Sequence, residues 1–276
     1  MPKPPHNEHY LELAIVRRAK NDNGKAMTDR MTMANAIVGQ FLGNGTGVKG
    51  GSSLRFRYGS AQSRYTMDFD TTRKIGLDEF LKGFKRRLSE GWYGFSGECD
   101  ILPQANPHGV PFEYVMQPLR VRLQYKGQPW CSVALEMTKG TYGCADQFDT
   151  LDPNDETLAI FRDLGFPSPG PVFAMKIDHQ VAQKLRGISC QGSDRAHDLI
   201  DLQLIMQREQ LYLPRVKSIC LKIFRGKGCP AWPPTVIKNK DWDSIYSRQK
   251  LDLPVLPTVD EAIDWANELI AKISNA

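Results

Sequence analysis

At 276 residues, with 41% hydrophobic and 24% charged positions, the chain can bury one large core or two modest ones. No apolar run reaches the length of a membrane span, and the polar start MPKPPHNEHY has no apolar secretory stretch behind it, so a cytoplasmic protein without membrane contact is expected. The six cysteines lack CxxC spacing and are read as reduced thiols, neither a zinc site nor a disulfide framework.

The first two expected elements are helices, Glu8 to about Lys20 and Ala26 to about Leu42, separated by the turn Asn21-Asp22-Asn23-Gly24. Gly43 to Gly47 is a loop leading into a short strand at Val48. Lys49-Gly50-Gly51-Ser52-Ser53 follows, at the start of a further helix. Glycines let the backbone approach an anion, and serine hydroxyls with successive N–H groups at a helix start make a phosphate cradle. The spacing is not that of a Walker A loop. Tyr65 to Asp70 is expected as a strand. Asp68 and Asp70 then project from one face, while Met67 and Phe69 point into the core. Such an Asp-x-Asp pair is by itself an ordinary structural feature. Beside a phosphate cradle it suits Mg²⁺, which takes one or two carboxylates plus substrate phosphates.

Asp78 to Glu90 is an amphipathic helix with Phe80, Leu81, Phe84 and Leu88 on its apolar stripe and Lys82, Lys85, Arg86 and Arg87 elsewhere. The whole chain carries a net charge of +5, yet Lys49 to Arg87 holds ten basic and four acidic residues, a local balance of +6. Gly91 to Asn106 reads as loop plus a short strand. Leu119 to Tyr125 alternates apolar and polar, Lys126 to Pro129 turns the chain, and Cys131 to Thr138 is the next strand. Val133, Leu135 and Met137 share one face of it, and Ala134 and Glu136 the other. Gly140 to Pro171 is rich in turn-formers and reads as a connection to a second, helical region. Val172 to Ile177 is a short strand, and Asp178 to Ile188 a helix with Asp178 as N-cap. A helix carrying Arg195, Asp198 and Asp201 follows. A helical turn around 241–246 and a terminal helix from the N-cap Thr258, with Glu261 completing a capping box, end the chain. The five histidines have no metal-ligand spacing, and no Gly-x-Ser-x-Gly elbow is present.

Lys49-Gly50-Gly51-Ser52-Ser53-Leu54, then Asp68-Phe69-Asp70, then Ala182-Gln183-Lys184-Leu185, then Arg195-x-x-Asp198-Leu-x-Asp201-Leu resembles the AbiEii/AbiGii toxin family of DNA polymerase β-like nucleotidyltransferases. The resemblance covers about residues 45–205. It implies an α/β (α+β) fold: a mixed, twisted nucleotidyltransferase sheet in residues 1–140, followed by a mainly helical part in 141–276 that completes an NTP cleft. It implies a third site carboxylate, Glu136, beside Asp68 and Asp70 as catalytic and metal ligands for two Mg²⁺ ions. Lys49, Gly50, Gly51, Ser52, Ser53, Lys184 and Asp198 become the nucleotide-binding set, with Asp201 and Arg195 structural. The implied activity is transfer of NMP from an NTP to an acceptor, the tRNA 3′ end above others, within a toxin–antitoxin system with a cognate antitoxin. The local basic excess assigns Lys82, Lys85, Arg86 and Arg87 to RNA binding. A transferase of NMP or phosphate to a partner protein, or a degenerate nucleotide-binding interaction module, are the other readings.

Overall fold

The computed structural model describes residues 2–66, 68–105, 114–226 and 230–276; Met67, expected in the core, and Cys229 lie outside them. The chain divides into two compact units, Met1–Ser60 with Thr66–Met175, and Ala61–Tyr65 with Lys176–Ala276.

The first unit runs α1 (Glu8–Arg18), α2 (Asn23–Leu42), β1 (Thr46–Val48), α3 (Gly50–Tyr58), β2 (Phe69–Arg73), α4 (Leu77–Glu90), β3 (Phe95–Ile101), β4 (Gln117–Tyr125), β5 (Gln128–Lys139), β6 (Phe148–Leu151), α5 (Asp155–Asp163) and β7 (Val172–Met175). Its seven described strands form one mixed sheet in the order β3-β4-β5-β2-β1-β7-β6. β2 runs parallel to β5 and antiparallel to β1, and β1 runs parallel to β7. The alternation read in β4 and β5 holds: Leu119, Val121, Leu123, Val133, Leu135 and Met137 are buried, whereas Arg120, Arg122, Ser132 and Ala134 are exposed. Helices α1 and α2 pack against β5, and α4 packs against β3 and α2. The stripe Phe80, Leu81, Phe84 and Leu88 is the buried face of α4. Each such side chain contributes about 1.5–3 kcal/mol by leaving water.

The second unit contains α6 (Ile177–Ser189), α7 (His197–Arg208), α8 (Leu213–Ile223), α9 (Trp242–Lys250) and α10 (Val259–Ser274). Helix α6 packs on α7 and α8, and α10 on α7, α8 and α9. The Thr258–Glu261 capping box of α10 is present as expected.

Several expectations are corrected. The strand expected from Tyr65 begins only at Phe69, because residues 61–65 pack with the second unit before the chain enters the sheet. Residues 140–171 are not a plain connection: β6 and α5 lie within them, and β6 pairs with β7, which joins β1. The contact boundary accordingly falls after Met175 and not after residue 140. Lys176, not Asp178, is the N-cap of α6, and Asp178 sits in its first turn. Cys99, Cys131, Cys144 and Cys220 are free thiols, whereas Cys190 is disulfide-bonded, contrary to the expectation of reduced thiols throughout.

Candidate active site

The β1–α3 turn builds the cradle. Lys49 is the N-cap of α3 with extended backbone, and its N–H donates to the Asp70 carbonyl at 2.9 Å. That bond fastens the turn to β2. Gly50 then adopts a φ of +59°, where a side chain is strained. A Cβ at Gly50 would also collide with the Asp70 carboxylate, lying 3.0 Å from its Cγ. The glycine therefore lets the start of α3 stand directly beside Asp70. Ser52 and Ser53 are both buried, and the Ser52 hydroxyl donates to the Asp68 carbonyl at 2.6 Å. Ser52 thus ties α3 to the approach into β2.

Residues absent from the expected site hold α3 from behind. Asn154 caps α5 and donates its Nδ2 to the Arg55 and Phe56 carbonyls at 3.0 and 3.1 Å. Glu156 accepts the Ser60 N–H at 2.6 Å, and Asp149 pairs with Arg57. The Asn154-Asp155-Glu156 run was a legible N-cap signal.

Asp70 and Glu136 are directly opposite in the parallel β2–β5 ladder, so their side chains project from the same face. Leu135 and Met137 on the other face are buried, which fixes that orientation. Asp68 is exposed and lies at a bend immediately before β2, two residues from Asp70. Among the described residues no group of three or more His, Cys, Asp or Glu side chains gathers as a metal site. The structure therefore brings together Asp70, Glu136 and the Gly50 turn, and leaves Asp68 next to them in sequence.

Lys184 and Asp198 meet in the second unit. The Lys184 ammonium, itself buried, donates to Asp198 Oδ1 at 2.7 Å and Asp201 Oδ2 at 2.6 Å. Both carboxylates are inaccessible; Arg195 Nε reaches Asp198 at 2.6 Å, and Arg64 Nε reaches both Asp201 oxygens at 3.1 Å. Burial acts to raise the Asp198 pKa, but Lys184 and Arg195 outweigh it and hold the carboxyl well below its ordinary range. His197 shows the opposite sign. Burial, aided by Arg64 and Lys184 against Asp198, pushes its imidazole down to about 4.

The ten basic residues of 49–87 are not all available to a partner. Arg57 and Arg64 pair with aspartates, and buried Arg73 donates to the Ile75 carbonyl at 2.7 Å. Arg87 donates to the Phe41 and Leu42 carbonyls at 2.6 and 2.7 Å, closing the C-terminus of α2. Lys82, Lys85 and Arg86 are exposed, and Arg86 faces Glu90 at 3.6 Å. Their helix packs on β3, which β4 and β5 separate from β2, about 14 Å at ordinary strand spacing. After β2 the chain thus crosses to the β3 edge of the sheet.

A glycine turn opening a helix beside a strand carboxylate, on a mixed sheet, is the framework of a nucleotidyltransferase. The family described as nucleotidyl transferase AbiEii toxin of type IV toxin–antitoxin systems matches residues 33–268, and the chain belongs to it. Among solved structures, MenT4, a nucleotidyltransferase toxin from Mycobacterium tuberculosis H37Rv, is similar in fold, with a TM-score of 0.55 at 18% identity over 96% of this chain and 97% of that one. A nucleotidyltransferase-type structure from H. pylori has a TM-score of 0.45 at 18% identity, covering 89% of this chain and 93% of its own. JHP933 from Helicobacter pylori follows at 0.43 and 16%, covering 89% and 90%. No curated protein matches the chain. Among the described residues no helix is long and apolar enough to cross a membrane.

Proposed function

We propose that the chain transfers NMP from an NTP to the 3′ end of an RNA, tRNA above others, in a Mg²⁺-dependent reaction. The observation that carries this reading is the same-face pairing of Asp70 with Glu136 beside the glycine turn that opens α3. The donor set is all oxygen and suits Mg²⁺, and Gly50 leaves the space beside Asp70 that a side chain would fill. Asp70 and Glu136 would hold the metal, with Asp68 completing a two-ion site. Mg²⁺ there supplies Lewis acidity, neutralising phosphate charge and lowering the pKa of the acceptor hydroxyl.

The chain's own groups do the rest. The N-terminus of α3 presents Gly50 and Gly51 N–H groups and a positive dipole end to the triphosphate. Lys49 adds a cation at the same turn, and Ser52 and Ser53 pack the turn against the sheet. By family resemblance Lys184, oriented by Asp198, donates to a phosphate. The acceptor oxygen forms a bond to the α-phosphorus while the bond to the bridging oxygen of the β-phosphate breaks. Pyrophosphate leaves, and the hydroxyl proton passes to solvent. Positioning and electrostatics carry such a reaction. The exposed Lys82, Lys85 and Arg86 remain as a further RNA contact; Arg87 serves α2 and is removed from that set.

The test incubates wild type, Asp70→Asn and Glu136→Gln with each labelled NTP, Mg²⁺, total RNA and total protein, and follows the label by mass spectrometry. Label on RNA 3′ ends in wild type, lost by at least about 100-fold in both folded variants, is expected. Near-normal transfer by either variant would remove the carboxylate pair from the mechanism. Label on protein alone would replace RNA as acceptor.

A further inference from the structure

We propose that α8 and the residues just beyond it form a docking strip for the phosphate backbone of the RNA acceptor. This deepens the RNA reading above and rests on it. Tyr212 to Gly226 reads YLPRVKSICLKIFRG, with four cations and no carboxylate. Val216, Ile219, Cys220 and Ile223 are the buried face of the helix. Arg215, Ser218 and Lys222 are exposed at i, i+3, i+7 spacing, and Arg225 continues the exposed side past the C-cap Phe224.

Arg215 is held by Asp178 at 2.9 Å. The Lys217, Lys222 and Arg225 side chains have no ion pair or hydrogen bond among the described residues. A lysine in a last helical turn is favoured by the helix dipole. The dipole does not explain Arg225 outside the helix, nor the want of carboxylates along the whole stretch. Helix α10 of the same unit carries four carboxylates, Asp260, Glu261, Asp264 and Glu268. Helix α4 differs, since Asp78, Glu79 and Glu90 dilute its cations.

From Arg215 to Arg225 the strip is about 15 Å long at helical rise. That length spans a few consecutive phosphates of one strand, which is where cationic side chains gain affinity by releasing counterions. Tyr212, 71% exposed at the head of the helix, offers a ring face for an unpaired base. Regular cations, no carboxylate within the stretch itself and an exposed aromatic favour RNA over an apolar partner, which would need a hydrophobic face here; the Asp178 carboxylate engages Arg215 alone.

The experiment uses the full chain and a fluorescent RNA hairpin with a single-stranded 3′ end, titrated at several salt concentrations. Lys222→Gln/Arg225→Gln should weaken hairpin binding about 10-fold or more at low salt. The slope of log affinity against log salt should fall by about 1.5, the loss of two phosphate contacts. NTP titration and the circular dichroism spectrum should match wild type, and Lys222→Arg/Arg225→Lys should keep hairpin binding and slope. Unchanged affinity and slope in the Gln variant, with wild type binding RNA, would overturn the α8 strip alone. Wild type that binds no hairpin, yet labels protein, would overturn the strip together with the RNA acceptor.

Discussion

Gly50→Ala tests whether the turn exists to let α3 reach Asp70. The new methyl would sit 3.0 Å from Asp70 Cγ and 3.3 Å from its Cβ, and closer still to Oδ2. Ordinary contact between such atoms is about 3.5–4.0 Å, so the carboxylate must retreat by about 1 Å. The backbone adds its own cost, because φ is +59° and an alanine there loses about 1 kcal/mol relative to glycine. Total destabilisation of about 1–2 kcal/mol in urea unfolding is expected. The effect on transfer should be far larger, about 100-fold in initial rate, since a 1 Å misplacement of a reacting group costs about that much. Gly59→Ala supplies the control: its φ is +81°, but its Cβ would meet Glu156 at 3.1 Å and not Asp70. Similar stability loss without comparable rate loss is expected there. If Gly50→Ala transfers label within threefold of wild type, or if Gly59→Ala loses as much, the turn does not position Asp70.

Three further outcomes follow from the same geometry. Lys184→Met leaves Asp198 and Asp201 buried without the ammonium between them, and should cost about 3–5 kcal/mol in urea unfolding, partly recovered by adding Asp201→Asn. His197 has its folded pKa depressed from 6.5 to about 4, so the unfolded chain binds a proton that the folded chain does not. Stability should be full above about pH 6.5 and fall by up to about 3 kcal/mol as pH drops towards 4; His197→Gln should flatten that part of the curve, and an unaltered slope would contradict the burial argument. Arg87→Ala should destabilise by about 2 kcal/mol through the freed α2 carbonyls while leaving hairpin RNA affinity unchanged; reduced affinity at unchanged stability would return Arg87 to the RNA-binding set.

What the sequence revealed depended on how local each signal was. β4 and β5 were legible because their alternation is strict over many residues, and that alternation also set the face on which Glu136 stands. α4 and α10 announced themselves by stripe and cap. The beginning of β2 was not legible, because hydrophobic pattern cannot show that residues 61–65 are drawn away into another unit. β6 and α5 were hidden by Asp152-Pro153 and the prolines after Phe166, although the Asn154 cap marked α5. α8 escaped although Val216, Ile219, Cys220 and Ile223 recur at helical spacing, because the proline at its first turn, where proline is tolerated, reads as a breaker. The charge count in residues 49–87 misled for a different reason. A formal charge carries no record of its partner, and Arg57, Arg64, Arg73 and Arg87 are engaged within the fold.

The carboxylates of the two units suit different chemistry. Asp198 and Asp201 are inaccessible and already matched by Lys184, Arg195 and Arg64, so three cations face two anions. Adding a divalent ion there would concentrate positive charge in a medium that penalises it. Both hold the Lys184 ammonium. An ammonium has three donors, and two of them are taken at 2.6–2.7 Å. On the proposed reading its remaining N–H would serve a phosphate, on a side chain whose rotamer entropy is already lost to the fold, so little more would be spent on binding. Asp70 and Glu136 stand instead on one face of a sheet at the mouth of a helix N-terminus, where added cation and triphosphate neutralise one another. On that reading, metal would belong with Asp70 and Glu136, and a fixed cationic donor with Asp198 and Asp201. Losing either Asp198 or Asp201 would then, on the proposed reading, act through the placement of Lys184 and not through metal.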